Sequence, residues 1–375
     1  MADLYDIKKD EKAVVRYPDY NNSIANLACS ILKYYGIEPV NNTLKAADEY
    51  LKTKHKNVVL LLLDGMGVYS MVKHLHPDGF FSSNIVHEYS STFPSTTVAA
   101  TTAIESGLFP NQSAWIGWSA YFKELDRNIS YFRNSDNDTW ESIEGMNVAQ
   151  TYVPYKGIRE KISDTGVGAY AVSPFVDDPV LTYDELCDRV ESLCREVGEK
   201  YIYAYWEEPD KSMHMCGEDS EAVKEILVEI ERKTEELAKK LKDTLLIITA
   251  DHGQINSENK CILDYPDIMD CLLRMPTVEA RSCNFFIKDG CKEKFAKLFK
   301  ENFGEDFLLL TKQELFDLQL LGTGKNHAQL DSMIGDYFAL AVGKTAITNK
   351  RSGPIGNHAG ITQEEMTVPL IVIEC

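Results

Sequence analysis

Three acidic residues stand behind short apolar runs. Asp64 follows residues 58–63, Asp210 comes shortly after 201–206, and Asp251 comes shortly after 245–249. Three histidines accompany them. His252 directly follows Asp251. His214 lies four residues beyond Asp210, so one helical turn sets both side chains on one face, and Pro209 suits the start of that turn. His358 sits in Gly356-Asn357-His358-Ala359-Gly360, a tight loop shortly before the last apolar run. Taken singly, Asp-Gly behind a strand signals a turn. Taken together, carboxylate oxygens and imidazole nitrogens without paired thiols form the donor set of a catalytic zinc site, which Mn²⁺ or Fe could also occupy. Three carboxylates facing one another with no cation would raise their own pKa values. Two divalent ions would set +4 against −3, and the remaining charge of about +1 would hold an anionic phosphate.

A nucleophile for such a site stands in Ser90-Ser91-Thr92-Phe93-Pro94-Ser95-Thr96-Thr97, a loop leading into a helix that Gly107 stops. Thr97 falls at the helix N-terminus, where free N–H groups and the dipole favour phosphate. Ser95 and Thr96 are expected only to cap that helix.

The elements that must carry these residues follow from periodicity. The runs 58–63, 201–206 and 245–249 read as strands buried on both faces, as in a parallel sheet. Residues 183–200 and 220–241 read as helices between them, 23–35 as a helix stopped by Gly36, and 368–373 as a final strand. This alternation predicts an α/β fold with helices on both faces of a mostly parallel sheet. In such a sheet ligands bind outside the carboxyl ends of the strands, where the three aspartates would converge. Residues 256–349 differ in character, with short amphipathic helices at 292–302 and 312–318. They are expected to form an inserted cap, leaving 1–255 and 350–375 as the catalytic core. Residues 5–16 are polar and expected to be a surface arm.

Composition narrows the partners. Among 375 residues, 39 Lys and Arg stand against 58 Asp and Glu, a net charge of −19. Such a chain has no general attraction for a nucleic-acid duplex or an anionic membrane, so a small phosphorylated substrate is expected. The run 58–63 is too short to span a bilayer, and the N-terminal residues have no apolar signal-peptide core. Nine cysteines without a C-x-x-C pair predict reduced thiols and a cytoplasmic protein.

With these pieces in place, the sequence resembles the type I phosphodiesterase/nucleotide pyrophosphatase family of the alkaline phosphatase superfamily. The matching pieces are Leu63-Asp64-Gly65-Met66-Gly67, Thr92-Phe93-Pro94-Ser95-Thr96-Thr97 with Ser106-Gly107-Leu108-Phe109-Pro110, and Pro209-Asp210 with His214 and Gly217. They continue with Thr249-Ala250-Asp251-His252-Gly253, and His358 to Thr362 with Glu365 to Pro369. The resemblance implies an alkaline-phosphatase-like three-layer sandwich. It implies one metal at Asp210, His214 and His358, and a second at Asp64, Thr97, Asp251 and His252, with zinc favoured in both. It also implies that Thr97, ten residues before Gly107, attacks phosphorus, and that water then cleaves a phospho-threonine. The chain departs from the family where Val98-Ala99-Ala100 replaces a common Phe-Pro-Asn, and where no Asn matches the phosphate donor near Ser113 to Trp118. Trp115, Trp118, Tyr121 and Tyr155 are expected either to rebuild a substrate wall or to pack the interior. The expected reaction is hydrolysis of phosphoric diesters or pyrophosphates. The alternatives are phosphomonoester or phosphonate hydrolysis or a phosphomutase on the same two-metal site, and a metal-dependent binding protein without turnover. The absence of Cys-x-Pro-x-Arg disfavours a sulfatase.

Overall fold

The computed structural model of the protein describes residues 14–375. Most of the expected arm, 5–13, lies outside the described residues. At its end, Arg16 donates its backbone N–H to the Ile361 carbonyl at 2.8 Å.

Six strands build the central sheet, in the spatial order Ile85–Ser90, Thr367–Glu374, Thr244–Thr249, Asn57–Leu63, Lys200–Trp206, Gly168–Val172. Asn57–Leu63 runs parallel to both its neighbours, with Leu62 opposite Thr249 and Leu63 opposite Trp206. Every residue of Asn57–Leu63 and Thr244–Thr249 is buried. Both faces of these strands are covered, which is why they read as unbroken apolar runs. Thr367–Glu374 is the exception in direction, antiparallel to the strand on either side.

Helices form the outer layers. Ile24–Tyr34, Thr97–Ser106 and Ile158–Ser163 contact one another as one group, and Tyr183–Arg195 and Glu221–Lys240 as another. Glu221–Lys240 buries Val223, Leu227, Ile230, Thr234 and Leu237 along one stripe. Its Ser220 cap accepts the Val223 N–H, and two lysines close its last turn. Ile24–Tyr34 ends just before Gly36, whose φ of +76° no other residue adopts as readily.

Two strands had no signal in the periodicity. Ile85–Ser90 and Gly168–Val172 are the sheet edges and are only partly buried, so neither carries a continuous apolar run. The boundary of the expected cap also differs from the strand pairing. A second, seven-stranded sheet takes Thr277–Glu279, Ser282–Phe285, Phe307–Thr311 and Tyr337–Ala341 from within 256–349. It adds Ser119–Phe122, Arg127–Ser130 and Ser135–Asp136 from the stretch assigned to the core. The junction is the pairing of Val278 with Ser119. These strands are two to five residues long, too short for alternation to reveal them.

A buried ion pair ties this second sheet to the strand ends of the first. Arg281 and Glu365 have fully buried side chains and meet through Nε–Oε1 at 2.7 Å and Nη2–Oε2 at 2.8 Å. Arg281 also donates to the carbonyls of Thr345 and Gly343. Glu365 accepts from the Gly360 N–H and the Thr362 hydroxyl, each at 2.8 Å, and so clamps the loop that carries His358. Removing one partner of such a pair leaves an uncompensated buried charge. Arg281→Met is therefore expected to lower stability by about 3–5 kcal/mol, measured by urea denaturation followed by circular dichroism. A loss below about 1 kcal/mol would show that the clamp is dispensable.

Candidate active site

Strand adjacency sets the site. Asn57–Leu63 lies between Lys200–Trp206 and Thr244–Thr249, so the residues behind the three strands emerge side by side. Asp64 donates its N–H to the Trp206 carbonyl at 3.0 Å, and Asp210 donates its N–H to the Asp64 carbonyl at 3.0 Å. The Gly65 N–H donates to Asp251 Oδ1 at 3.1 Å. Gly65 has φ +74°, and a Cβ there would lie 2.8 Å from the Asp210 Cβ. The crossing of these loops therefore needs glycine on both steric and backbone grounds.

Pro209 precedes the helix Asp210–Cys216. One turn on, His214 Nε2 lies 3.2 Å from Asp210 Oδ2. Asp210 Oδ1 accepts from Gln254 Nε2 at 2.6 Å, and His358 Nε2 stands 3.9 Å from it. On the other side, His252 Nε2 lies 3.4 Å from both Asp64 Oδ1 and Asp251 Oδ2. The rings of His252 and His358 stack with centroids 3.9 Å apart. Asp64, Asp210, His214, Asp251, His252 and His358 thus gather in one place.

All three imidazoles are oriented alike. Nδ1 of His214 meets the Gly356 carbonyl at 2.8 Å, Nδ1 of His252 the Gly253 carbonyl at 3.0 Å, and Nδ1 of His358 the Ser95 carbonyl at 3.2 Å. A carbonyl can only accept, so each Nδ1 carries a proton and each Nε2 is turned to the centre, where its lone pair can bind a cation when the ring is neutral. Thr97 opens the helix Thr97–Ser106, and its hydroxyl lies 3.1 Å from His252 Nε2. From Tyr89 to Ile104, Thr97 is the only residue that is not buried.

Ser95 and Thr96 do not use their hydroxyls as caps. Ser95 Oγ donates to the Gly360 carbonyl at 2.8 Å, which joins the nucleophile loop to the His358 loop. Thr96 holds the N-cap position by backbone, but its hydroxyl donates to Glu279 Oε1 at 2.7 Å. A carboxylate from the second sheet outcompetes the helix N–H groups for it.

Burial raises Asp64 well above the ordinary carboxyl range, and the charges of Asp251 and Asp210 add to this. Burial also raises Asp251. Asp210 is buried too, yet the hydrogen bond and charge of His214, with His358 and His252, hold it low. His214 is lowered by burial but lifted further by Asp210, to about 9. Burial and neighbouring His252 keep His358 well below the imidazole range.

The arrangement fits divalent metal. Asp64 Oδ1 and Asp251 Oδ2 are fully buried and have no hydrogen-bond partner among the described residues. Ligand atoms of Asp64, Asp251 and His252 lie within 4.8 Å of one another, and so do those of Asp210, His252 and His358. Orphaned carboxylate oxygens beside inward imidazole lone pairs are what a cation of the zinc type requires. His252 belongs to both groups, and His214 flanks the second through Asp210.

The four aromatic residues separate. Trp118 lines a cavity of about 350 Å³ that also contains Glu279. Trp115 and Tyr155 line another, of about 660 Å³, with Glu105 and Arg159. Trp115 is itself buried, its Nε1–H held by the Val153 carbonyl. Tyr121 carries Arg274 over its ring at 3.8 Å. Periodicity also passed over three supporting side chains. Tyr205 donates its hydroxyl to Asp64 Oδ2, Gln254 holds Asp210, and Glu279 holds Thr96. Tyr205 had one available signal, since a tyrosine in a buried strand needs a partner for its hydroxyl. Burial lifts Glu279 to about 7.

Comparison with known proteins agrees with this geometry. The family model "Type I phosphodiesterase / nucleotide pyrophosphatase" matches residues 58–282. No curated protein sequence matches the chain. Among solved structures, an inactive threonine-to-alanine variant of murine ectonucleotide pyrophosphatase/phosphodiesterase 5 in complex with AMP is similar, with a TM-score of 0.64 at 16% identity. The match covers 86% of this chain and 88% of that one. Phosphonoacetate hydrolase from Sinorhizobium meliloti 1021, in complex with phosphonoformate, matches with a TM-score of 0.61 at 15% identity, over 84% and 89% of the two chains. At these identities the likeness to the solved structures is one of fold.

The raised carboxyls set a sign for metal removal. Asp64 and Asp251 have folded pKa values above their unfolded ones. Without a cation they penalise folding above the unfolded carboxyl range, near pH ~4, and the penalty fades as pH falls through the folded values. Acid also protonates the imidazoles and weakens metal binding. Chelation is thus expected to lower the melting temperature by about 5 °C or more at pH 8 and by much less at pH 5. Scanning fluorimetry with and without EDTA measures this, and equal shifts at both pH values would contradict it.

Proposed function

The chain belongs to the type I phosphodiesterase/nucleotide pyrophosphatase family of phosphoryl hydrolases, and from that premise we propose that it hydrolyses phosphoric diesters or pyrophosphates through a phospho-threonine formed on Thr97. One observation carries the proposal. The only open residue in a buried loop-helix segment is a threonine whose hydroxyl faces His252 Nε2 at 3.1 Å. A threonine is also the residue replaced in the inactive murine phosphodiesterase 5 variant.

We assign Asp210, His214 and His358 to one divalent ion and Asp64, Thr97, Asp251 and His252 to a second, with zinc favoured by the donor chemistry. When bound, such ions supply positive charge to the phosphoryl oxygens and lower the pKa of water toward ~7. The rest falls to the chain. Gly356, Gly253 and Ser95 carbonyls keep the Nδ1 protons in place and hold the Nε2 lone pairs inward. His252 Nε2 orients the Thr97 hydroxyl, and the start of Thr97–Ser106 offers N–H groups to phosphate. Thr97 Oγ bonds to phosphorus as the ester P–O bond breaks, and the leaving oxygen takes a proton. Water then cleaves the phospho-threonine and restores the hydroxyl.

We place the substrate's alcohol side against the second sheet, where Trp118 shares the Glu279 carboxylate with Thr96. Trp115 and Tyr155 would touch only a group long enough to reach the second cavity. Nine unpaired thiols support a reducing compartment such as the cytoplasm. No helix among the described residues is long and apolar enough to cross a membrane. A second reading, phosphonate hydrolysis on the same site, draws on the likeness to phosphonoacetate hydrolase.

With zinc, bis-p-nitrophenyl phosphate is expected to be cleaved faster than p-nitrophenyl phosphate. Thr97→Ala should lower the diester kcat by about 10³-fold or more while metal content stays unchanged by atomic emission. Faster phosphonoacetate turnover would favour the second reading, and full activity in the alanine variant would remove Thr97 from the mechanism.

A further inference from the structure

Glu279 occupies an unusual position for a carboxylate. It ends the strand Thr277–Glu279 in the middle of the second sheet, one residue after Val278, which pairs with Ser119 of the neighbouring strand. Val278 has φ +82°, a strained value for a β-branched residue. A Cβ on Gly117 would lie 2.6 Å from Val278 Cγ1, so the neighbouring backbone presses on the same point. This fixes the direction of Glu279. Its Oε1 accepts from the Thr96 hydroxyl at 2.7 Å and from the Trp118 N–H at 2.8 Å. Its Oε2 takes no hydrogen bond from any described residue, and the side chain lines the 350 Å³ cavity with Trp118, Trp140, Asp138 and Lys350. Thr96 is bonded directly to Thr97, so the hydrogen bond from Thr96 ties this carboxylate to the segment that carries the nucleophile.

The two assigned divalent ions and the start of the helix Thr97–Ser106 favour anions, and Glu279 opposes them. A phosphomonoester presents a further anionic oxygen, whereas a phosphodiester carries an alcohol group in its place. We propose that Glu279 is a specificity-determining residue. It repels the unsubstituted oxygen of a phosphomonoester dianion and accepts, at Oε2, a hydrogen bond from an N–H or O–H group on the second alcohol of a diester. That alcohol occupies the cavity beside Trp118. The inference rests on the proposed function and names the substrate class within it: diesters whose second alcohol bears a donor close to the ester oxygen.

The test uses the zinc-loaded full chain at pH 8.5, where the carboxyl is ionised. The probes are p-nitrophenyl phosphate and the methyl and 2-aminoethyl diesters of p-nitrophenyl phosphate, and orthophosphate binding is followed by calorimetry. Wild type should favour the methyl diester over the monoester and the aminoethyl over the methyl diester. Glu279→Gln keeps an oxygen for Thr96 and Trp118. It should narrow the diester-to-monoester ratio of kcat/KM by about fivefold or more, remove most of the aminoethyl advantage, and bind orthophosphate about fivefold tighter. Glu279→Asp keeps the charge and should retain discrimination against the monoester. A ratio and phosphate affinity within about twofold of wild type in a folded Glu279→Gln protein overturn this inference and leave the proposed function standing. A wild type that prefers the monoester over the methyl diester, which requires no variant, overturns this inference together with the diester preference of the proposed function. A wild type that cleaves none of the three esters overturns both.

Discussion

The site depends on the cost of holding three carboxylates together where water scarcely reaches. Asp64, Asp210 and Asp251 are all buried, and they are neighbours because their strands are. In a parallel sheet the carboxyl ends of adjacent strands point the same way. A chain that places an acidic residue behind each of three adjacent strands therefore concentrates negative charge at one edge. Such an edge is stable only if something positive answers it. In the protein itself the answer is partial: His214 satisfies Asp210, while Asp64 Oδ1 and Asp251 Oδ2 go without a partner among the described residues. The electrostatic imbalance and the donor set point to the same cation chemistry.

Around this centre the protein uses backbone rather than side chains to hold its ligand atoms. Three carbonyls from three loops fix three imidazole tautomers, and two backbone hydrogen bonds join Asp64 to the strand beside it and to Asp210. Side-chain rotamers are costly to order, whereas backbone groups are already fixed by the fold. The Arg281–Glu365 pair has a similar role farther from the centre. It commits two buried charges to the loop that brings in His358, and it is fully hydrogen-bonded, the condition under which such a pair is tolerated.

The second sheet belongs to the site and is no mere appendage. Its central seam at Val278 and Ser119 delivers Glu279 to the Thr96 hydroxyl and the Trp118 N–H to Glu279. The sheet combines two stretches of chain separated in sequence by strands and helices of the six-stranded sheet's layers. Its contribution is therefore a property of the pairing and not of any local motif. The same holds for the separation of Trp115 and Tyr155 from Trp118, three residues that looked equivalent while only their types were known.

Local patterns in the chain were enough to establish the α/β class, the three strand ends, the pairing of Asp210 with His214 by helical spacing, and Thr97 at a helix start. A continuous apolar run reports burial on both faces, and a four-residue spacing reports one turn. The family resemblance rested on the same short pieces. Three-dimensional packing was needed to make strands of Ile85–Ser90 and Gly168–Val172, to carry the second sheet back to Ser119, and to turn Thr96 toward Glu279 instead of its own helix. Edge strands and three-residue strands bury too little surface to leave a periodic trace. A hydrogen bond between residues 183 positions apart in the chain is chosen by packing, which no local pattern encodes.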